Sequence, residues 1–296
     1  MGTPRSAEAP FALSVDVEDY YQVQAFAKFV PRGAWDRYPS RVTANTERLL
    51  DLFDEAGAKG TFFVLGWIAR RHPHLIQRIS SRGHEIASHG LTHTMLEELS
   101  AREFRVEALD SKRMLEDLSG QPVIGFRAPS YSVNRNTLWA LEILRETGYE
   151  YDSSVYPIRR RRYGYPEGPL RPARIAAGKR DIVEFPLPTV PFGPLRLPVL
   201  AGAYLRLLPV WASLAATDYH RRHGIPLVVN VHPWEIDPEQ PTIGPSRMST
   251  WTHYARLSRT ADILGRVLRR AEFSTLAARL SEMGLLTAVA GVGRSQ

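Results

Sequence analysis

Short apolar blocks alternate with amphipathic stretches along most of this chain. Phe11-Ala12-Leu13-Ser14-Val15, Thr61-Phe62-Phe63-Val64 and Val228-Val229-Asn230-Val231 have the length and β-branched or aromatic content of buried strands. Shorter blocks at 85–88, 125–127, 149–152 and 181–185 read the same way. Between them, 3.6-residue spacing predicts helices over 43–56, 73–82, 100–118 and 136–147, the first, second and fourth closed by Gly57, Gly83 and Gly148. Further helices are expected over 203–223, 260–270 and 274–283. Strand–helix alternation at this pace predicts a parallel α/β sheet, open or barrelled. From 157 to 198 the pattern loosens into Pro, Gly and Arg, which reads as an irregular insertion beside the mouth of the sheet. The expectation is one domain over 1–296, with a helical extension at 255–285 and a loose tail at 288–296.

Composition narrows the chemistry. The 296 residues include no cysteine, so any metal site must use His, Asp or Glu. A formal net charge of +7 permits acidic partners. The densest basic run, Arg159-Arg160-Arg161-Arg162, reads as a solvated loop with no nucleic-acid fold around it, and no nucleic-acid partner is expected. The greasiest stretch, 195–216, is broken by Pro198, Gly202, Arg206 and Pro209, which excludes a membrane span. It reads as a buried or interface segment, with contact to a membrane surface or lipid-linked substrate as the alternative. Residues 1–10 lack a basic and apolar leader pattern, so a cytoplasmic location or the cytoplasmic membrane face is expected.

Polar chemical residues recur at the carboxyl ends of the strand-like blocks, where parallel α/β folds bind ligands. Ser88-His89-Gly90-Leu91-Thr92-His93 sets two imidazoles four positions apart, so one helical turn would bring both to one metal ion, with Gly90 easing the turn out of the strand. Asp16-Val17-Glu18-Asp19 follows the first strand, and period-two alternation puts Asp16 and Glu18 on one face. Such an acid cluster folds if it is solvated or if a cation sits in it. Arg127 opens Arg-Ala-Pro-Ser-Tyr, Asp152 ends the fifth block, and His232 ends the last, stopped by Pro233.

This order of motifs resembles the polysaccharide deacetylases (NodB homology, carbohydrate esterase family 4). Asp-Val-Glu-Asp-Tyr-Tyr and Val-His-Pro-Trp-Glu-Ile-Asp resemble the branch found at exosortase-linked exopolysaccharide loci. The resemblance implies a distorted, incomplete (β/α) barrel of about seven strands, and a divalent metal, Zn2+ first with Co2+ or Ni2+ as alternatives. It implies removal of N-acetyl groups from an amino-sugar glycan. The family's adjacent second aspartate is Val17 here, so the resemblance makes Glu18 the oxygen ligand beside His89 and His93, with Asp19 in reserve. It further implies Asp16 as general base held by Arg127, a backbone N–H of Tyr131 for the oxyanion, and His232 as acid kept cationic by Asp152. Opposite protonation of Asp16 and His232 predicts a bell-shaped pH profile. A cyclic amide or imide hydrolase and a carbohydrate-binding barrel without catalysis are the other readings. Tyr20, Tyr21, Tyr131 and Trp234 could stack on sugar rings or belong to the core.

Overall fold

The computed structural model describes residues 11–160, 163–244 and 248–287. The leader and tail expectations, and Arg161 and Arg162 of the basic run, lie outside these residues. Period-two alternation sorts the first strand, β1 (Phe11–Val17), into two faces. Phe11, Leu13, Val15 and Val17 join the layer packed under helices, while Ala12 faces the inner cluster. Ser14 and Asp16 share the inner face and meet polar side chains there.

The remaining strands are β2 (Thr61–Val64), β3 (Glu85–Ser88), β4 (Gly125–Phe126), β5 (Tyr151–Asp152), β6 (Ala173–Ala177), β7 (Arg180–Glu184), β8 (Thr189–Phe192), β9 (Leu195–Pro198), β10 (Leu227–Val231) and β11 (Phe273–Ser274). Seven of them run parallel in the order β10-β1-β2-β3-β4-β5-β7, and among the described residues β7 and β10 do not pair. The result is an open, barrel-like α/β fold. β11 adds a short parallel pair at the amino end of β1, and β6 runs antiparallel outside β7.

Helices α1 (Val42–Glu55), α2 (Gly66–Arg71), α3 (Pro73–Ser81), α4 (Ala101–Ser119) and α5 (Trp139–Glu146) follow the early strands. α4 begins with a reciprocal Ser100–Glu103 capping box and ends on Gly120 at φ 67°. Later come α6 (Ala203–Leu207), α7 (Val210–Arg222), α8 (Met248–Tyr254), α9 (Leu257–Leu268) and α10 (Leu276–Glu282). α10 packs into the inner cluster through Leu276 and Leu280, and its Ala277 N–H reaches Glu85. It stoppers the amino end of the sheet and leaves the carboxyl end for chemistry.

Three expectations need correction. The irregular insertion holds four strands: β6 and β7 form a hairpin across Gly178 at φ 64°, and β8 pairs β9 across Gly193 and Pro194. Gly178, Gly193 and Pro194 serve as hairpin punctuation, while 157–160 and 163–172 carry neither strand nor helix. The helix expected over 203–223 is two helices, because Pro209 sits in an extended conformation (φ −59°, ψ 146°) just before α7. Residues 89–94 form no helix: Gly90 (φ 78°) and His93 (φ 53°) turn the chain in the left-handed region, and Gly66 and Trp67 pin it by donating to the Gly90 and Leu91 carbonyls. No described helix is long and apolar enough to cross a membrane.

Candidate metal and catalytic site

Four strand ends deliver the site. β1 ends at Val17 and its chain turns at once, Glu18 N–H donating to the Asp16 carbonyl at 3.0 Å, so both acids face inward. The loop after β3 carries His89 and His93, β4 leads to Arg127, and β10 leads to His232. One ligand atom each from Glu18, His89 and His93 lies within 4.8 Å of the others, and all three residues are buried.

The tautomer of His89 is settled by its neighbour: Nδ1 lies 2.8 Å from the Arg127 carbonyl, which can only accept, so Nδ1 carries the proton and Nε2 is a free lone pair. His93 Nε2 approaches Glu18 Oε2 to 2.8 Å, yet the contact lacks hydrogen-bond alignment, and Oε2 is a buried oxygen without a donor. The other Glu18 oxygen accepts from the Trp234 indole at 3.2 Å. A buried carboxylate oxygen and two imidazole nitrogens converging on one point suit a divalent cation of the zinc kind. Burial works to raise the Glu18 pKa, and the charge and close contact of His93, with the His232 and His89 charges behind, outweigh it, taking it down to about 2. Burial lowers His89 to about 4, which keeps its ring neutral near pH 7.

Asp16 lies beside this trio. Arg127 Nη1 donates to its Oδ1 at 2.7 Å and Asn230 Nδ2 to its Oδ2 at 3.0 Å. Arg127 is fully buried, and its remaining donors go to Ser14, Asn230 and Ser153 while its carbon centre lies 4.0 Å over the Phe63 ring. Burial pushes Asp16 up, but Arg127, His89 and His232 bring it down to about 2, so it stays ionised.

His232 points Nε2 into the site, 3.6 Å from Asp16 Oδ2, and turns Nδ1 to Glu235 at 2.9 Å. Glu235 is itself held by buried Arg206 at 2.8 Å. Burial would lower the His232 pKa; the Glu235 hydrogen bond and charge, with Glu18 and Asp16 behind, raise it to about 9.

Asp152 does not meet the expectation placed on it. It accepts from Ser154 N–H and Oγ, and it sits in register with Glu184 on β7 as a buried acid pair. Burial raises both pKa values, Glu184 further because Asp152 is beside it. Glu235 takes the place expected of Asp152 at His232. The backbone N–H of Tyr131 is also committed elsewhere, donating to the Ala128 carbonyl at 3.0 Å. What Tyr131 offers instead is its hydroxyl, 3.5 Å from Asp16 Oδ2 and accepting from Asn230 at 2.7 Å. Asp19, the reserve ligand, binds Ser40 and the Arg41 and Val42 N–H groups at the start of α1. Tyr20 and Tyr21 are buried in an aromatic cluster with Phe26 and Trp35.

The sequence reading missed Glu235, Asn230 and Arg206. Two had a local signal: Glu235 stands three residues after His232, and Asn230 two residues before it on the same strand face. Arg206, on α6, had none. Asp16, Glu18, His89, His93, Arg206 and His232 border a cavity of about 270 Å³, whose far wall is Tyr156, Tyr163 and Tyr204.

Comparison with known proteins divides the chain in two. Residues 34–151 match the polysaccharide deacetylase family, and residues 153–281 match a domain of unknown function, DUF3473. The boundary falls inside the sheet, between β5 and β7, while Asp16 and Glu18 precede both matched segments. A peptidoglycan-N-acetylglucosamine deacetylase of Bacillus cereus is 30% identical over 105 residues, 36% of this chain and 47% of that protein. A chitooligosaccharide deacetylase of Sinorhizobium fredii is 36% identical over 70 residues, 24% of this chain and 33% of its own. The chain thus spans about half or less of these relatives. A Mycobacterium smegmatis protein provisionally named a polysaccharide deacetylase shares the fold, with TM-score 0.63 at 19% identity over 100% of this chain and 97% of its own. The allantoinase Puue does so with TM-score 0.61 at 15% identity, covering 96% of this chain and 94% of that one.

Proposed function

We propose that this chain belongs with the polysaccharide deacetylases and is a metal-dependent N-deacetylase, acting on an amino-sugar polysaccharide or its precursor in exopolysaccharide synthesis. The observation that carries the reading is the buried trio Glu18, His89 and His93, with its unpaired carboxylate oxygen, set beside Asp16 and His232. The glycan assignment rests on the relatives, which are named for acting on peptidoglycan and chitooligosaccharides. The exopolysaccharide role rests on the sequence pattern around Asp16 and His232.

Glu18, His89 and His93 would hold the ion. A carboxylate as acidic as Asp16 is a weak base, so the water it deprotonates must itself be acidified and the amide carbonyl polarised, the chemistry a bound divalent cation supplies. Asp16 takes the water proton at Oδ2, with Arg127 and Asn230 fixing the carboxylate plane. The Tyr131 hydroxyl stands at the same oxygen and can donate to the oxyanion of the tetrahedral intermediate. His232 Nε2–H protonates the sugar nitrogen as its bond to the carbonyl carbon breaks, releasing acetate and a free amine. Glu235 holds the imidazolium for that step.

The test is zinc content and acetate release from N-acetylated chitooligosaccharides, for the wild type and a His89→Ala/His93→Ala variant. One tightly bound ion and acetate release, both lost in the variant, is the expected result. A wild type that takes up no zinc, cobalt or nickel would overturn the proposal.

A further inference from the structure

Trp234 belongs to the segment that matches DUF3473, yet it reaches across the site to the carboxylate of Glu18. Its indole Nε1–H donates to Oε1 at 3.2 Å, and that oxygen has no other hydrogen-bond donor of comparable reach among the described residues. The opposite oxygen, Oε2, is the buried atom without a donor, and it is the one turned to His93. The indole is itself held tightly. Its ring stacks between His232 (centroids 5.1 Å, 29°) and His253 (4.1 Å, 15°), and the Arg206 guanidinium lies 5.4 Å over its face. His253 is fixed in turn by Gln240 at 2.8 Å.

A glutamate has three rotatable bonds and two equivalent oxygens, so without a second contact either oxygen, or both, could face the imidazoles. We infer that Trp234 is a positioning residue for the metal site: its N–H occupies one Glu18 oxygen and so presents the other as a single ligand atom. This rests on the metal reading above and extends it, because it makes ion binding depend on a residue of the segment that matches DUF3473. The same indole stacks on His232, so it touches both the acid and the carboxylate ligand.

The experiment compares wild type, Trp234→Phe and His253→Leu. Trp234→Phe keeps an aromatic ring in the stack and removes the N–H; His253→Leu removes a stacking partner and keeps the N–H. Zinc dissociation constants are measured by competition with a chelator, cobalt-loaded proteins are compared by visible absorption, and melting of the metal-free proteins reports folding. Expected for Trp234→Phe is 10–100-fold weaker zinc binding, the usual range for a lost contact to a ligand, together with a changed cobalt spectrum. Expected for His253→Leu is zinc affinity within about threefold of wild type and an unchanged spectrum, even where its melting temperature falls. Zinc affinity and cobalt spectrum preserved in Trp234→Phe would overturn the inference while leaving the metal site standing. Equal weakening in both variants would also overturn it, since stacking and not the N–H would then be responsible. A wild type that binds no ion removes the metal reading and this inference together.

Discussion

Replacing Glu235 by Gln tests how His232 is kept protonated. The imidazole sits in a buried setting that by itself disfavours the charged form, yet its pKa is raised from 6.5 to about 9. That difference corresponds to roughly 3 kcal/mol in favour of the imidazolium. The Glu235 hydrogen bond and charge are the largest contributions on the raising side, ahead of Glu18 and Asp16. A cation held by Glu18 would cancel part of that carboxylate's pull and add repulsion. The alkaline limit of the loaded enzyme therefore lies below 9, and the difference between variants is the quantity to read. A histidine with a raised pKa is protonated below that pKa and loses the proton as pH rises through it. Glu235→Gln should therefore move the alkaline loss of activity down by one pH unit or more. If the pKa fell from about 9 to about 7, the protonated fraction at pH 8 would drop roughly tenfold. The assay is acetate release from N-acetylated chitooligosaccharides across pH 6 to 10, run beside hydrolysis of 4-nitrophenyl acetate, whose phenolate leaves without a proton. The amide should lose rate and the ester should not. An unmoved alkaline limb, or equal losses on both substrates, would refute the assignment of Glu235 as the partner of His232.

Asp16→Asn should abolish deacetylation by about 10²–10⁴-fold while zinc stoichiometry stays at one, since Asp16 is not among the converging ligand atoms; retained turnover would show that another group is the base. Gly125→Ala should destabilise the fold by about 1–3 kcal/mol in urea unfolding, because an added Cβ would meet the Tyr151 ring at 2.2 Å and push the hydroxyl that donates to buried Glu85. A midpoint equal to that of the wild type would mean that the ring moves aside freely.

The sequence carried a good deal of this arrangement. Period-two alternation in β1 put Asp16 on the inner face, while the turn that follows Val17 brings Glu18 to the same side. Amphipathic stretches located α1, α3 and α4 to within a few residues but not the short α2, because a buried helical face and a left-handed cap are both local properties. The chemical residues stood at strand ends, which a parallel sheet gathers at one edge. Other features depended on chain far away. Whether Asp152 or Glu235 serves His232 turns on β7 placing Glu184 against Asp152, a pairing that depends on how a Pro- and Gly-rich segment folds into hairpins. Whether the Tyr131 N–H is available depends on a local turn held by Ser130 and Tyr131 at positive φ, which no residue type announces.

The amino acids alone therefore determined the layered α/β plan and which side chains stand at its carboxyl edge, since periodicity and caps act over a few residues. Only the tertiary structure decided which of those side chains touch. Contacts such as Trp234 with Glu18, or Arg206 with Glu235, join residues 216 and 29 positions apart, and long-range packing, not local spacing, fixes the distance between them.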